Sequence, residues 1–288
     1  MSMAVWSAAA LLLTLPIMFL AAREDWRDRM VSDRYWDVLG LGGGLFFCGY
    51  SVAVSGLRWD LLAAALAAVL AWAAVRLPER GDSVTAALCA LVLDLLVIGC
   101  GPRDALSLAW AAVPIMALIY TLMYAGGLVR GGADVKCLIA LSMAFPIYPA
   151  AGAFPFWGLP DLMAAVFVFS LSVLFTAALS LLVLVPYCLW RNRGGPDRGR
   201  RRWTGWRIPL DGAEKAFVWP SEDVRDGRVV YIGNCADEET AEVYGRLRAA
   251  GAETVAVTPM IPFIVPLALA VPFAALIGSP FALFALFL

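Results

Sequence analysis

Long apolar blocks separated by short charged connections leave this chain few ways to fold. Eight such blocks lie at about 4–22, 37–55, 60–76, 84–99, 105–125, 135–149, 161–189 and 257–278. A helix crossing the hydrocarbon core of a bilayer needs about 20 apolar residues, because the segment must satisfy its own amides and carbonyls. The fourth and sixth blocks are short and must borrow flanking residues. Of 288 residues, 62% are hydrophobic and only 16% charged. The expected fold is therefore an all-α polytopic membrane protein of about eight transmembrane helices with a small cytoplasmic α/β insertion. Residues 1–190 are the expected core of about seven helices, 191–256 the insertion, and 257–288 a C-terminal transmembrane segment. That last segment carries Pro259, Pro262, Pro266, Pro272 and Pro280, and it reads as one kinked span.

The first block lacks a basic stretch before it and carries its charges after it, so it reads as a mature helix with the N-terminus outside. The connections at 23–36, 77–83, 126–134 and 190–256 then face the cytoplasm. Together with Arg76 and Lys136 at the adjoining span ends, they hold every lysine and arginine except Arg58 and Arg103. The formal charge of −1 hides this sorting and implies no nucleic-acid partner.

Histidine is absent, and the six cysteines are scattered with no CxxC pair. Those absences remove a histidine or cysteine-cluster zinc site, a histidine base and a redox pair. No cofactor is expected. Carboxylate chemistry survives.

The insertion opens with RNRGGPDRGRRRW, a basic segment read as an inner-face anchor in contact with anionic membrane lipids. Beyond it, RVVYIG reads as a strand, DEETAEVYGRLRAAG as a helix closed by Gly251, and ETVAVTP as a second strand. No glycine-rich phosphate loop accompanies them.

Two charged openings carry the chemistry: REDWRDRMVSDRYW after the first block, and GGLVRGGADVK before the sixth. Four spans separate them, an even number, so Asp25 and Asp134 lie on one face of the membrane. Two close carboxyls share one proton, because like charges at short range resist joint ionisation. One can then take a proton from water while the other assists a peptide carbonyl. Gly131 and Gly132 are expected to permit unusual dihedrals and to leave room for an extended substrate. Asp134 falls in the first turn of its helix, where exposed amides favour an anion. Asp25, near a helix C-terminus, lacks that help and on dipole grounds is the protonated partner. Asp94, inside the fourth block, is expected to make a hydrogen bond between helices; an ion or proton path is its other reading.

At these openings the chain resembles the archaeal branch of the type IV prepilin peptidases, membrane aspartic proteases of the GxGD class that include the preflagellin (archaellin) peptidases. Asp25-Trp-Arg-Asp-Arg29-Met-Val31 is similar to the family's D-x-x-x-R-x-I/V pattern, and Gly131-Gly132-Ala133-Asp134 to its Gly-x-Gly-Asp. Alanine at the third position departs from the named motif by one methyl group. Val135, Lys136 and VTPMIPFIVPLAL extend the likeness. Compact members have six spans, so the spacing implies an additional helical hairpin between the two aspartates. The resemblance implies cleavage of class III signal peptides from archaellin or type IV pilin-like precursors at the cytoplasmic face. It implies no N-methylation here, because CxxC and a methyl-donor fingerprint are absent. Arg29 and Lys136 would orient the precursor's charged flank or anchor the inner interface. The alternatives are a presenilin-like intramembrane protease, a transporter passing protons or cations through Asp94 and Asp134, and an assembly scaffold.

Overall fold

The structure is a computed structural model that describes residues 2–77, 80–129, 131–157, 168–193, 201–233 and 240–282. It divides into two compact units, Met1–Ala177 with Phe263–Leu288, and Ala178–Pro262.

Among the described residues, six helical segments are long and apolar enough to cross a membrane. They are α1 (Met3–Asp28), α2 (Arg34–Ser55), α3 (Trp59–Arg76), α4 (Arg80–Cys100), α5 (Ala105–Ala125) and the run Phe169–Arg191. In that last run, α7 (Phe169–Leu179) and α8 (Leu181–Arg191) follow one another across Ser180. The start of the seventh expected span, 161–167, lies outside the described residues.

The expected eight crossings are therefore not all found. The sixth block forms α6 (Gly132–Ala144), and the tail forms α10 (Ile264–Ile277). At 13 and 14 residues, each is about 20 Å long, short of the roughly 30 Å hydrocarbon core. Block six is apolar because protein surrounds it: Val135 and every residue from Cys137 to Ala144 are buried. After Phe145 the chain leaves the helix and returns to the end of α10, where Phe156 and Trp157 donate to the carbonyls of Leu276 and Ile277 at 3.0 and 2.9 Å. Non-helical backbone at membrane depth is tolerated where other protein satisfies it.

Close packing of α6 against α2 depends on small residues. Gly40 and Gly43 of α2 face Ala140, Met143 and Ala144 of α6. A Cβ on Gly43 would lie 2.6 Å from the Ala144 Cα, inside van der Waals contact. Such small-residue seams let membrane helices approach backbone to backbone. Toward the start of α1, Trp6, Phe47, Tyr50 and Phe145 form an aromatic cluster, with Trp6 and Phe47 centroids 5.2 Å apart. Hydroxyls join helices deeper in this unit, with Ser170 of α7 bonded to Tyr120 of α5 at 2.8 Å and to Ser142 of α6 at 2.7 Å.

The second unit holds a three-stranded antiparallel sheet, β1 (Trp206–Pro209), β5 (Thr254–Pro259) and β2 (Val218–Pro220) in that order, and a hairpin of β3 (Glu222–Arg225) with β4 (Arg228–Tyr231). Helix α9 (Thr240–Ala249) buries Val243 and Leu247 beside Val255 and Val257 of β5. The expected strand, helix and strand are present as β4, α9 and β5, and Gly251 takes the left-handed conformation after the helix. Because 257 lies within β5, the tail helix starts later than expected. β1, β2 and β3 were missed, each being only three or four residues long.

Candidate active site

Helix α1 stops where Arg29 adopts a left-handed conformation, with its N–H bonded to the Asp25 carbonyl at 3.1 Å. The Arg29 guanidinium also turns back, donating to the carbonyls of Asp25 and Trp26 at 3.0 and 3.3 Å. This fixes the last turn of α1 and leaves the Asp25 side chain free to face inward. That side chain is buried, and its Oδ2 accepts the backbone N–H of Ile264 at 3.0 Å. Ile264 opens α10, so Asp25 faces the amides of a helix N-terminus after all. The dipole argument for a protonated Asp25 fails, because it considered only the helix to which Asp25 belongs.

Asp134 sits half-buried in the first turn of α6, where Gly131 is the N-cap. Its N–H bonds the Gly131 carbonyl at 3.1 Å. Gly131 has ordinary extended dihedrals, and Gly132 begins the helix with no positive φ. The expected unusual dihedrals are absent. What Gly131 provides is space, since a Cβ there would collide with the Asp134 carboxylate. Gly132 borders open space, and Ala133 continues the first turn.

Asp25 and Asp134 lie at the same end of the first unit, where Lys136 of α6 meets Asp33 just after α1. No hydrogen bond between their carboxyls is present among the described residues. Cys137, one turn beyond Asp134, is buried with its Sγ 3.7 Å from the Met18 sulfur of α1. Among the described residues no group of three or more histidine, cysteine or acidic side chains is placed to hold a metal ion.

Lys136 points elsewhere. Its Nζ lies 2.8 Å from both carboxylate oxygens of Asp33, in the connection between α1 and α2. Asp33 also pairs with Arg76 at the end of α3, and Arg76 donates to both oxygens of Asp37 at 3.0 Å. Burial pushes the Asp33 carboxyl up, but Lys136 and Arg76 outweigh it and hold its pKa below the ordinary 3.8. Of the two roles expected for Lys136 and Arg29, the observed contacts are structural ones. Asp33 and Ile264 were the residues sequence reasoning passed over. Asp33 had a usable signal, because the even count of spans that brings Asp25 to the face of Asp134 brings Asp33 to that of Lys136.

Asp94 is buried on the α4 stripe that includes Ala86, Ala90 and Val97. Its Oδ1 has no hydrogen-bond partner. The expected bond between helices is therefore missing from that oxygen.

No family model, curated protein or solved structure matches the chain. The chemistry of the site has to be argued from its own groups. Asp25, beside the Ile264 amide, and Asp134, in the first turn of α6, are the carboxyls that this end of the apolar bundle offers to acid–base chemistry.

Proposed function

We propose that the chain is a membrane aspartic endopeptidase that removes class III signal peptides from archaellin or type IV pilin-like precursors at the cytoplasmic face, without N-methylation. What supports this reading is that Asp25 closes α1 and Asp134 opens α6 at one end of the bundle, with four helices intervening in the chain. Their sequence contexts, Asp25-Trp-Arg-Asp-Arg29 and Gly131-Gly132-Ala133-Asp134, are those of the resemblance described above. The sorting of lysine and arginine supports an outside N-terminus and a cytoplasmic site.

In this mechanism the ionised aspartate takes a proton from water, and the resulting hydroxide adds to the scissile carbonyl carbon. The protonated aspartate donates to the carbonyl oxygen. As the tetrahedral intermediate collapses, the C–N bond breaks, and the departing nitrogen takes up the proton that came from water. As the carbonyl re-forms, a hydroxyl of the intermediate returns its proton to the second aspartate, so the pair ends as it began, with one proton. The open space beside Gly132 would receive the extended precursor backbone.

The transport reading gains no support from Asp94, whose Oδ1 joins no polar chain. The deciding experiment is cleavage of archaellin and pilin precursors by purified protein in lipid, comparing wild type with D25N, D134N and D94N. Cleavage just before the precursor's apolar segment should vanish in D25N and D134N and persist in D94N. Full activity in either of the first two would remove the two-aspartate mechanism.

A further inference from the structure

The cluster around Asp33 ties together three helices beside the site. Asp33 precedes α2, Arg76 ends α3, and Lys136 lies in α6 two residues after Asp134. Both Asp33 oxygens accept from the Lys136 ammonium, and one of them also meets the Arg76 guanidinium. Arg76 continues to Asp37, whose Oδ1 accepts the Trp72 indole N–H at 3.2 Å. All the side-chain partners are at least partly buried, with Lys136 at 24% and Asp33 at 35% exposure. Ion pairs screened from water and shared by several charges are worth more than isolated surface pairs.

Helix α6 needs such a tether at this end. Its far half is held by the glycine seam of α2, while its first turn opens on Gly132 and follows Gly126, Gly127 and Gly131. The side chains of Lys136 and Asp134 leave that turn separately, the ammonium toward Asp33 and the carboxylate against Gly131. The rotation and depth of the first turn therefore set the Asp134 carboxyl, and Lys136 is the residue through which they are fixed. Arg76 extends the tether to α3, which lies in the stretch between the two aspartates. That gives the helices of this stretch a task beyond spanning the membrane.

We propose that Asp33 is a positioning residue: with Arg76 it clamps Lys136, and so holds the first turn of α6 where Asp134 addresses Asp25. This rests on the endopeptidase reading for its catalytic consequence, and on geometry alone for the clamp. A misplacement near 1 Å at a reacting group costs up to about a hundredfold in rate.

The test pairs kinetics with a labelling readout that needs no activity. Cys137, next to Lys136 and fully buried, reports whether the first turn stays docked. D33N and K136M should each lower kcat by about tenfold with KM within about twofold, the pattern of a lost transition-state geometry. Both should speed alkylation of Cys137, mapped by mass. D33E should restore both readouts, and the D33N/K136M double variant should be no worse than the poorer single, because the two act through one contact. Unchanged kcat in D33N overturns the proposal whatever Cys137 does. Should wild type cleave no precursor while Cys137 opens in D33N and closes in D33E, the endopeptidase reading falls and the clamp stands. Cys137 equally protected in all variants removes the clamp.

Discussion

At the residue scale, two backbone groups decide how the aspartates are presented. Ile264 donates its N–H to Asp25 from the first position of α10. Proline at that first helical position has no N–H, so I264P deletes the donor, although it also pushes Phe263 out of its αR conformation. Because Ile264 is itself buried, I264A, which keeps the amide, controls for lost packing. The expected result is a kcat about tenfold lower in I264P than in I264A, the worth of roughly 1.4 kcal/mol and within the range for a hydrogen bond to a charged group. Equal rates would leave the amide without a catalytic part. Gly131 makes the complementary case. G131A places a methyl group against the Asp134 carboxylate and should lower kcat while leaving thermal stability near wild type, since the carboxylate, not the backbone, gives way. That Asp25 lies at the end of α1 and Asp134 in the first turn of α6 was legible in the sequence, because charged openings interrupt the apolar runs there. The Ile264 amide was not, since a backbone donor brought from 239 residues away leaves no mark in side-chain identity.

At the element scale, α2 and α6 meet along a seam that hydropathy cannot see. Gly43 approaches Ala144 so closely that any side chain must push the two helices apart. G43V should cost roughly 1–3 kcal/mol, the usual range for overpacking, read as a lower unfolding midpoint in detergent. G49A, on the same helix with nothing within 4 Å of the added carbon, should unfold like wild type. The length of an apolar run says that a segment avoids water without saying whether lipid or protein surrounds it. That is why 135–149 reads as a span and folds as a 13-residue enclosed helix followed by coil. Helices α1, α2, α3, α4 and α5 were legible for the opposite reason. Their runs are long, and each keeps exposed apolar side chains such as Leu12, Leu45, Leu62, Leu88 and Leu118.

At the scale of the whole molecule, two kinds of stabilisation coexist in one chain. The first unit is held mainly by apolar and small-residue packing, with its ion pairs at the ends of its helices and Asp94 as an ionisable group within α4. The second is small and mixed, and it buries acids: Glu222 and Asp223 are nearly inaccessible, paired with Arg207 and Arg246 respectively. The hydrogen bonds from Arg246, at 2.8 and 2.9 Å, hold the Asp223 carboxyl below its ordinary 3.8 against the opposing effect of burial. A carboxyl whose folded pKa is depressed contributes stability that is complete above the unfolded value and is lost as pH falls through the folded one. The second unit should therefore loosen below about pH 4, and R246M should remove most of that dependence by weakening the unit already at neutral pH. Cys188 sits fully buried in this unit's core beside Trp206 and Val257, so its reaction with a pyridyl disulfide, which proceeds in acid, measures the loosening. Wild type should show reactivity rising steeply as pH falls below about 4, and R246M a higher and flatter course. If the two profiles run parallel, other groups control the acid response, and the Asp223 pair is a bystander to it.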